Sequence, residues 1–308
     1  MYSVIDIGSN TIRLTVYHVQ DGQIETVFHE KSTVGLAGYV NGKGKLSRTG
    51  MDRAAESLLR FKRILTNLGI ENIAVFATAS LRNVTNTDEA LSVIEERTGF
   101  RVEVLSGERE ALLDYIGATH FMPASDGLLV DIGGGSTELV FFSDEQVEKA
   151  VSMPVGSLNM YSKYVSHVVP TKEERERIRR KVLKELGKLD LPERVCPVIC
   201  GVGGTARATG KLVNTRKKLP TANRVVYLHT VDELLDSFRD DSRDTLLPIL
   251  KSAPDRVHTL LPGMTILCAV AETFHSDTMI VSDYGVREGY LLTEVLHQER
   301  RSDPWQRR

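Results

Sequence analysis

One short pattern occurs twice in the sequence, and it constrains the fold more than any other feature. Residues 4–11 read Val-Ile-Asp-Ile-Gly-Ser-Asn-Thr, and residues 130–137 read Val-Asp-Ile-Gly-Gly-Gly-Ser-Thr. In both copies an apolar strand ends in an aspartate, a turn of glycine and small polar residues follows, and a second strand begins. A repeat of this kind predicts two related half-molecules, each containing a glycine-turned β-hairpin.

The residues around the two turns are suited to binding phosphate. Glycine lets backbone N–H groups close on an anion, and hydroxyl side chains add further donors. The carboxylates of Asp131 and Glu138 supply the negative charge that a divalent cation or an attacking water requires. The alternative is an ordinary hairpin with a glycine turn. We predict phosphate binding by the turn residues Gly8, Ser9, Asn10, Gly133, Gly134, Gly135, Ser136 and Thr137.

The first half has the element order of a ribonuclease H-like domain. Residue patterns predict an antiparallel meander of three strands, followed by helices that alternate with strands. The predicted elements lie at 3–7, 11–19, 23–29, 47–69, 72–78, 86–99 and 101–105. Ser47 is the predicted N-cap of the first helix, and Asn86 with Glu89 is the predicted capping box of the second. The glycine-rich segment 34–46 is predicted to be either a lid or a plain surface loop.

The second half repeats the meander and then diverges. After the second turn and its strands, the last of them at 145–153, a strand at 197–202 leads into a third glycine turn. Segment 209–230 is basic and is predicted to be an irregular surface excursion, and mostly helical structure is predicted from 230 to 275. We place the domain boundary after residue 120, which gives domains 1–120 and 121–308.

Composition and charge argue against several classes of function. The chain has 308 residues, of which 41% are hydrophobic and 26% charged, as in an ordinary globular protein of about two domains. Its net charge of −2 and isoelectric point near 6.5 argue against a nucleic-acid partner. No apolar run approaches the roughly 20 residues of a membrane span, and no leader is recognisable, so we expect a cytoplasmic protein without a membrane partner. The three cysteines are expected to be reduced thiols.

Four separated segments carry a resemblance to a known family. They are the two Asp-Ile-Gly turns, residues 106–111 (Ser-Gly-Glu-Arg-Glu-Ala) and residues 282–289 (Ser-Asp-Tyr-Gly-Val-Arg-Glu-Gly). With them the chain resembles the exopolyphosphatase and guanosine pentaphosphate phosphohydrolase (Ppx/GppA) family, in its short two-domain form, within the actin-like ATPase superfamily. The resemblance implies an α/β fold of two ribonuclease H-like domains whose mixed five-stranded sheets flank an interdomain cleft. It also implies that the last helix packs back on the first domain.

The resemblance assigns roles to individual carboxylates. In the family, the glutamate that precedes the alanine of the Ser-Gly segment is the general base that activates water, and here it is Glu110. Asp131 and Glu138 would complete the catalytic set, and Mg²⁺ or another divalent cation would be held near Asp6 and Asp131. From the residues alone, Glu110 would rather be read as complementing the dipole of its helix. Many family members have an acidic residue where this chain has Arg109.

The resemblance also extends the predicted phosphate site. Arg82 follows a strand at its carboxyl end, where α/β sheets place ligands, and its planar guanidinium suits phosphate oxygens. A lone arginine at such a place is more often a solvated surface residue. The third glycine turn would lie along the path of the polyphosphate chain. The additional predicted phosphate-binding residues are Arg82, Gly203, Gly204 and Thr205.

The implied reaction is the metal-dependent hydrolysis of a terminal phosphoanhydride. The expected substrates are inorganic polyphosphate and, as a second activity, guanosine pentaphosphate, which would yield the tetraphosphate. One alternative is an ATP-dependent sugar or acid kinase of the same superfamily, which would need a deep adenosine pocket and an acceptor site. Another is a weakly catalytic regulator that binds the alarmone, although both carboxylate-bearing turns argue against it. The sequence leaves the oligomeric state open, with a homodimer as one candidate.

Overall fold

The computed structural model describes residues 1–21, 23–121 and 126–296. The chain divides into two compact units, of which the first comprises residues 1–106 with 294–296 and the second begins at residue 107. Each unit contains one mixed β-sheet covered by helices. Among the helices of the described residues, none combines the length and apolar character that crossing a membrane requires.

The first unit confirms the predicted meander. Its sheet has the strand order β3-β2-β1-β4-β5, in which β1, β2 and β3 are antiparallel neighbours and β4 and β5 are parallel to β1. The strands are β1 Tyr2–Ile7, β2 Thr11–Gln20, β3 Gln23–Thr33, β4 Ile73–Ala77 and β5 Glu103–Val104. The helices are α1 Arg48–Asn67, α2 Ala79–Arg82 and α3 Thr87–Thr98, with a 3-10 turn at Leu36–Tyr39.

The second unit has a six-stranded sheet, one strand more than predicted. The strand order is β10-β11-β9-β6-β7-β8. The strands are β6 Gly127–Ile132, β7 Thr137–Ser143, β8 Gln146–Met153, β9 Val198–Val202, β10 Val225–Tyr227 and β11 Thr278–Val281. The helices are α4 Gly107–Phe121, α5 Ser157–Tyr164, α6 Lys172–Leu186, α7 Gly203–Lys217, α8 Leu228–Ser237, α9 Arg243–Ser252, α10 Leu260–Thr273 and α11 Val286–Tyr290. A 3-10 turn lies at Pro254–Arg256, and a π-helical turn at Leu291–Val295 continues α11.

The additional strand lies in a segment that was predicted to be irregular. Segment 209–230 contains most of α7 and all of β10, which pairs antiparallel with β11 at the edge of the sheet. The prediction was wrong because the basic composition concealed an amphipathic helix. Leu212 and Val213 are buried in α7, whereas Lys211 and Arg216 are exposed.

Helix α4 belongs to the second unit, so the predicted boundary after residue 120 falls near the far end of this helix. The apolar side chains of α4 share a buried cluster with the sheet of the second unit. Tyr115, for example, packs with its ring centroid 5.1 Å from that of Phe142 on β7. The last helix is α-helical only over 286–290, and residues 297–308 lie outside the described part of the chain.

Segment 34–46 is held to the first unit at both ends. Its first residues, Val34 and Gly35, donate their N–H groups to the carbonyl of Asn10 at 3.1 and 2.9 Å. At the other end, Asn86 bonds the backbone of Leu46 in both directions, with distances of 2.9 and 3.1 Å. Asn86 therefore does not form the predicted capping box of α3, because its Oδ1 accepts the N–H of Leu46 and its contact with Glu89 is between the two side chains. Ser47 does cap α1, as predicted.

Candidate active site

The second glycine turn is fixed by helix α5. The carbonyl of Gly133 accepts the N–H of Ser157 at 2.8 Å, and the carbonyl of Gly134 accepts those of Leu158 and Asn159, each at 3.0 Å. The side-chain amide of Asn159 donates to the carbonyl of Gly135 at 2.9 Å. All three glycine carbonyls are thus engaged at the amino end of one helix.

The same arrangement leaves backbone donors available on the turn. Within the described residues, the N–H groups of Gly134 and Gly135 donate no hydrogen bond. Gly156 packs directly on them, since a Cβ there would lie 2.5 Å from the carbonyl of Gly134 and the nitrogen of Gly135. None of the three glycines of this turn has a positive φ. The close approach recorded here is that of Gly156, whose lack of a side chain lets the two backbone segments meet. Adjacent unpaired N–H groups are a typical anion-binding device.

Two of the predicted phosphate-binding hydroxyls serve the backbone instead. Thr137 donates its hydroxyl to the carbonyl of Val155 at 2.6 Å, and Thr205 donates to the carbonyl of Ile132 at 2.7 Å. Both threonines are almost fully buried. They hold the turn in place rather than directing a proton at a ligand, whereas Ser136 lies buried within the turn itself.

Four carboxyl groups share one neighbourhood of the second unit. Asp131 on β6 lies opposite Glu138 on β7 in the strand register. Glu110 lies in the first turn of α4, and Asp114 follows one helical turn later. Burial, first, and then the charges of Asp131, Glu110 and Glu138 raise the pKa of Asp114 well above its ordinary value. The structure therefore brings the three predicted catalytic carboxylates together, around a fourth that the sequence reasoning missed.

Glu138 is held in place by a serine. It is 1% exposed, and its Oε1 accepts the hydroxyl of Ser152 on β8 at 2.7 Å. Gly107, the first residue of α4, lies on Ser152, since a Cβ at this glycine would overlap the serine side chain. Ser152 thus contacts both Glu138 and the start of the helix that carries Glu110.

The third glycine turn lies against Asp131. Gly203 begins α7 with a φ of +76°, and a Cβ there would overlap the Asp131 carboxylate. At the next residue, a Cβ on Gly204 would overlap the guanidinium of Arg256. The second and third turns therefore meet at Asp131, with an arginine beside them that has no local signal in the sequence.

The first turn has the same backbone bond as the second. Gly8 donates its N–H to the carbonyl of Thr11 at 3.2 Å, as Gly133 does to that of Ser136 at 3.0 Å. Ser9 and Asn10 are buried, and their carbonyls accept from segment 34–37. The side-chain nitrogen of Asn10 is buried without a hydrogen-bond partner among the described residues.

Two other predicted residues also lie in the first unit. Asp6, at the end of β1, faces Arg13 of β2 in the strand register. Arg82 ends α2 and donates from its guanidinium to the carbonyl of Leu105 at 3.1 Å. It is therefore half-buried and hydrogen-bonded to the backbone rather than fully solvated.

The comparison with known families agrees with these motifs. The model of the Ppx/GppA phosphatase family matches residues 15–298. The chain belongs to this family. A protein of Haemophilus influenzae described as a candidate exopolyphosphatase is 27% identical over 294 residues, which cover 94% of this chain and 90% of that protein.

Solved structures of the Ppx/GppA family have the same fold. The Aquifex aeolicus family member is 28% identical, with a TM-score of 0.76 and coverage of 97% of this chain and 98% of that one. An exopolyphosphatase from Cytophaga hutchinsonii is 23% identical, with a TM-score of 0.87 and the same coverage. The chain is thus an exopolyphosphatase-family hydrolase with an α/β, actin-like ATPase-type fold.

The carboxylates of this site suit a magnesium ion whose remaining ligands come from water and from the substrate. Within the described residues, no group of three or more His, Cys, Asp or Glu side chains is arranged to hold a metal. Mg²⁺ usually binds through one or two carboxylates together with water and substrate phosphates. The half-buried Asp131, which lies between two glycine turns, meets this requirement.

Proposed function

We propose that this Ppx/GppA protein is an exopolyphosphatase that releases terminal orthophosphate from inorganic polyphosphate. The observation that carries the proposal is the second glycine turn. Its carbonyls are all engaged at α5, and the N–H groups of Gly134 and Gly135, at the end of the strand that carries Asp131, donate no hydrogen bond within the described residues. Phosphoryl transfer needs mainly positioning and charge neutralisation, and this arrangement can supply both.

The acidic cluster activates and orients the attacking water. Glu110 accepts a proton from the water molecule while the water oxygen bonds to the terminal phosphorus. The bridging P–O bond breaks, and its oxygen leaves with the shortened chain. Glu138, held by Ser152, orients the same water. Asp131 would hold Mg²⁺, which would neutralise charge on the phosphate oxygens.

Conversion of guanosine pentaphosphate to the tetraphosphate is the second activity that we propose. The chemistry is the same, since a terminal phosphoanhydride is hydrolysed in both cases. Guanosine pentaphosphate differs from polyphosphate only in the part of the molecule that lies beyond the reacting phosphates.

Phosphate release from defined substrates tests the function. We expect Mg²⁺-dependent orthophosphate release from polyphosphate and from guanosine pentaphosphate, and none from ATP with sugars. Chelation of Mg²⁺ should abolish release, and Mg²⁺ should restore it. Consumption of ATP with transfer to a sugar would indicate a kinase instead, and tight nucleotide binding without turnover would indicate a regulator.

A further inference from the structure

Helices α4 and α11 are in direct backbone-to-backbone contact at two glycines. A Cβ at Gly117 of α4 would overlap the carbonyl of Gly285, and a Cβ at Gly289 of α11 would overlap the carbonyl of Leu113. Glycine at both positions removes the side chains that would separate the helices. Segment 282–289, to which the proposed reaction gives no role, is therefore docked on the helix that carries Glu110.

Asp114 is the polar group within this contact. Its side chain is fully buried, and its Oδ1 accepts the N–H of Val286 at the start of α11 at 2.8 Å. Its Oδ2 is buried without a hydrogen-bond partner among the described residues. The bond joins positions that are 172 residues apart in the chain.

An aspartate is an unfavourable choice for packing alone. Burying a carboxyl group costs free energy that an apolar side chain with the same branching, such as that of leucine, would avoid. The three neighbouring carboxylates add to this cost. Unlike leucine, the aspartate side chain provides a directional acceptor for the Val286 N–H.

We propose that Asp114 is a positioning residue, which fixes Glu110 by hydrogen-bonding helix α4 to the amino end of α11. This inference rests on the proposed role of Glu110. Residues 110 and 114 lie on the same face of α4, one turn apart, so a shift at the second is transmitted to the first through a rigid helix. The role requires an acceptor oxygen and no charge.

Two substitutions of similar shape test the proposal. Asp114→Asn keeps an acceptor oxygen, and we expect its kcat to stay within about 3-fold of wild type. Asp114→Leu removes the acceptor, and we expect its kcat to fall by about 10- to 100-fold with KM little changed, as a misplaced catalytic group requires. Thr119→Val is the control within α4, because it removes a hydrogen bond of the same helix, to the carbonyl of Tyr115, and leaves Asp114 unchanged.

Hydrogen exchange at Val286 separates positioning from misfolding. We expect its amide to be protected in wild type and Asp114→Asn and to exchange faster in Asp114→Leu, while the core of the first unit remains protected. Wild-type kcat in Asp114→Leu, or equal losses in the two variants, would overturn the proposal. If Glu110→Gln is inactive in the same assays, the proposed function survives that outcome, whereas an active Glu110→Gln would refute the function itself.

Discussion

The two Asp-Ile-Gly turns have the same backbone but different charge surroundings. In both, the glycine donates its N–H to the carbonyl three residues later. In both, the isoleucine carbonyl accepts a hydroxyl from the helix after the neighbouring parallel strand, from Ser80 in the first unit and Thr205 in the second. The aspartates differ, because Asp6 faces Arg13 in the strand register and Asp131 faces Glu138.

The difference extends to the next strand and to the turn carbonyls. Arg13 pairs with Lys31 on β3, whereas Glu138 pairs with Ser152 on β8. The carbonyls of the first turn bind segment 34–37, which leads into a 3-10 turn, and those of the second bind the amino end of α5. A common scaffold therefore carries two basic residues opposite its aspartate in one unit and a glutamate followed by a serine in the other. We propose on this ground that the water-activating chemistry is concentrated in the second unit.

The largest effect should come from the base in the acidic cluster. Glu110→Gln keeps the shape of the side chain but cannot accept the proton of water, so kcat should fall by about 10²–10⁴-fold with substrate binding nearly intact. Glu108→Gln is the matched control, since Glu108 is exposed in the same helical turn whereas Glu110 is buried. Steady-state phosphate release and binding of a non-hydrolysable polyphosphate analogue measure the two quantities.

The first unit provides the contrast for this experiment. Asp6→Asn should lower kcat less than Glu110→Gln does. Equal losses in the two variants would show that the units share the chemistry evenly, and the comparison of the two turns would then fail.

A smaller but still large effect is expected at the third glycine turn. Ser80 and Thr205 donate equivalent hydrogen bonds in the two units, to the carbonyls of Ile7 and Ile132. Thr78, two residues before Ser80, therefore corresponds to Gly203, two residues before Thr205. Only glycine fits at the second position, because a Cβ would overlap Asp131 and the φ is +76°. Gly203→Ala should therefore lower kcat/KM by about 10²-fold, consistent with a displacement of roughly 1 Å at a reacting group.

A glycine elsewhere in the chain controls for the added methyl group. Gly38→Ala should be silent, since a Cβ there would meet nothing within 4 Å. Titration with Mg²⁺ should show weaker activation of Gly203→Ala. Normal activation would indicate that Asp131 tolerates displacement and is not a metal ligand.

An effect of about 10-fold is expected at Ser152. Ser152→Ala removes one hydrogen bond to a buried carboxylate, a loss of about 1.5–3 kcal/mol if Glu138 is charged, part of which should appear in kcat. Its first-unit counterpart, Lys31→Ala, should change kcat little. Comparable losses in both, measured by phosphate release at saturating substrate, would contradict the inferred difference between the units.

The sequence predicted the parts of the fold that depend on local patterns. The meanders follow from strand alternation and glycine turns, both of which are read over a few residues. The three-residue strand β10 was missed because it is too short for a pattern and exists by pairing with β11. That α4 packs with the second unit has no local signal in the sequence, because it depends on long-range contacts such as that of Tyr115 with Phe142.

The site was predictable to a similar extent. The three predicted catalytic carboxylates are together in the second unit, whereas Asp6 lies in the first. The partners of Thr137 and Thr205 are non-local carbonyls that no motif reveals. Asp114 did have a signal, namely a single acid within the apolar run Leu112-Leu113-Asp114-Tyr115-Ile116, one turn after Glu110. Arg256 had none, since only the fold places its guanidinium on Gly204.

The smallest expected effect is on stability, and it depends on pH. In the unfolded chain Asp114 ionises near pH 4, whereas burial and the nearby carboxylates keep its pKa raised in the folded protein. Above about pH 4 the unfolded state therefore releases a proton that the native state retains, and stability falls by about 1.4 kcal/mol per pH unit until the native group also ionises. Asp114→Asn has no such proton, so its stability relative to wild type should increase as the pH is raised from 4 toward 8.

Denaturant unfolding at several pH values measures this offset. Thr119→Val, which changes the same helix without a titrating group, should differ from wild type by a constant amount. An Asp114→Asn offset that is also constant would mean that the charges of the acidic cluster are balanced in the folded protein. The cluster would then resemble the first unit, where Asp6 faces Arg13 in the strand register. The two turns would then differ in sequence but not in electrostatics, and the concentration of chemistry in the second unit would need another cause.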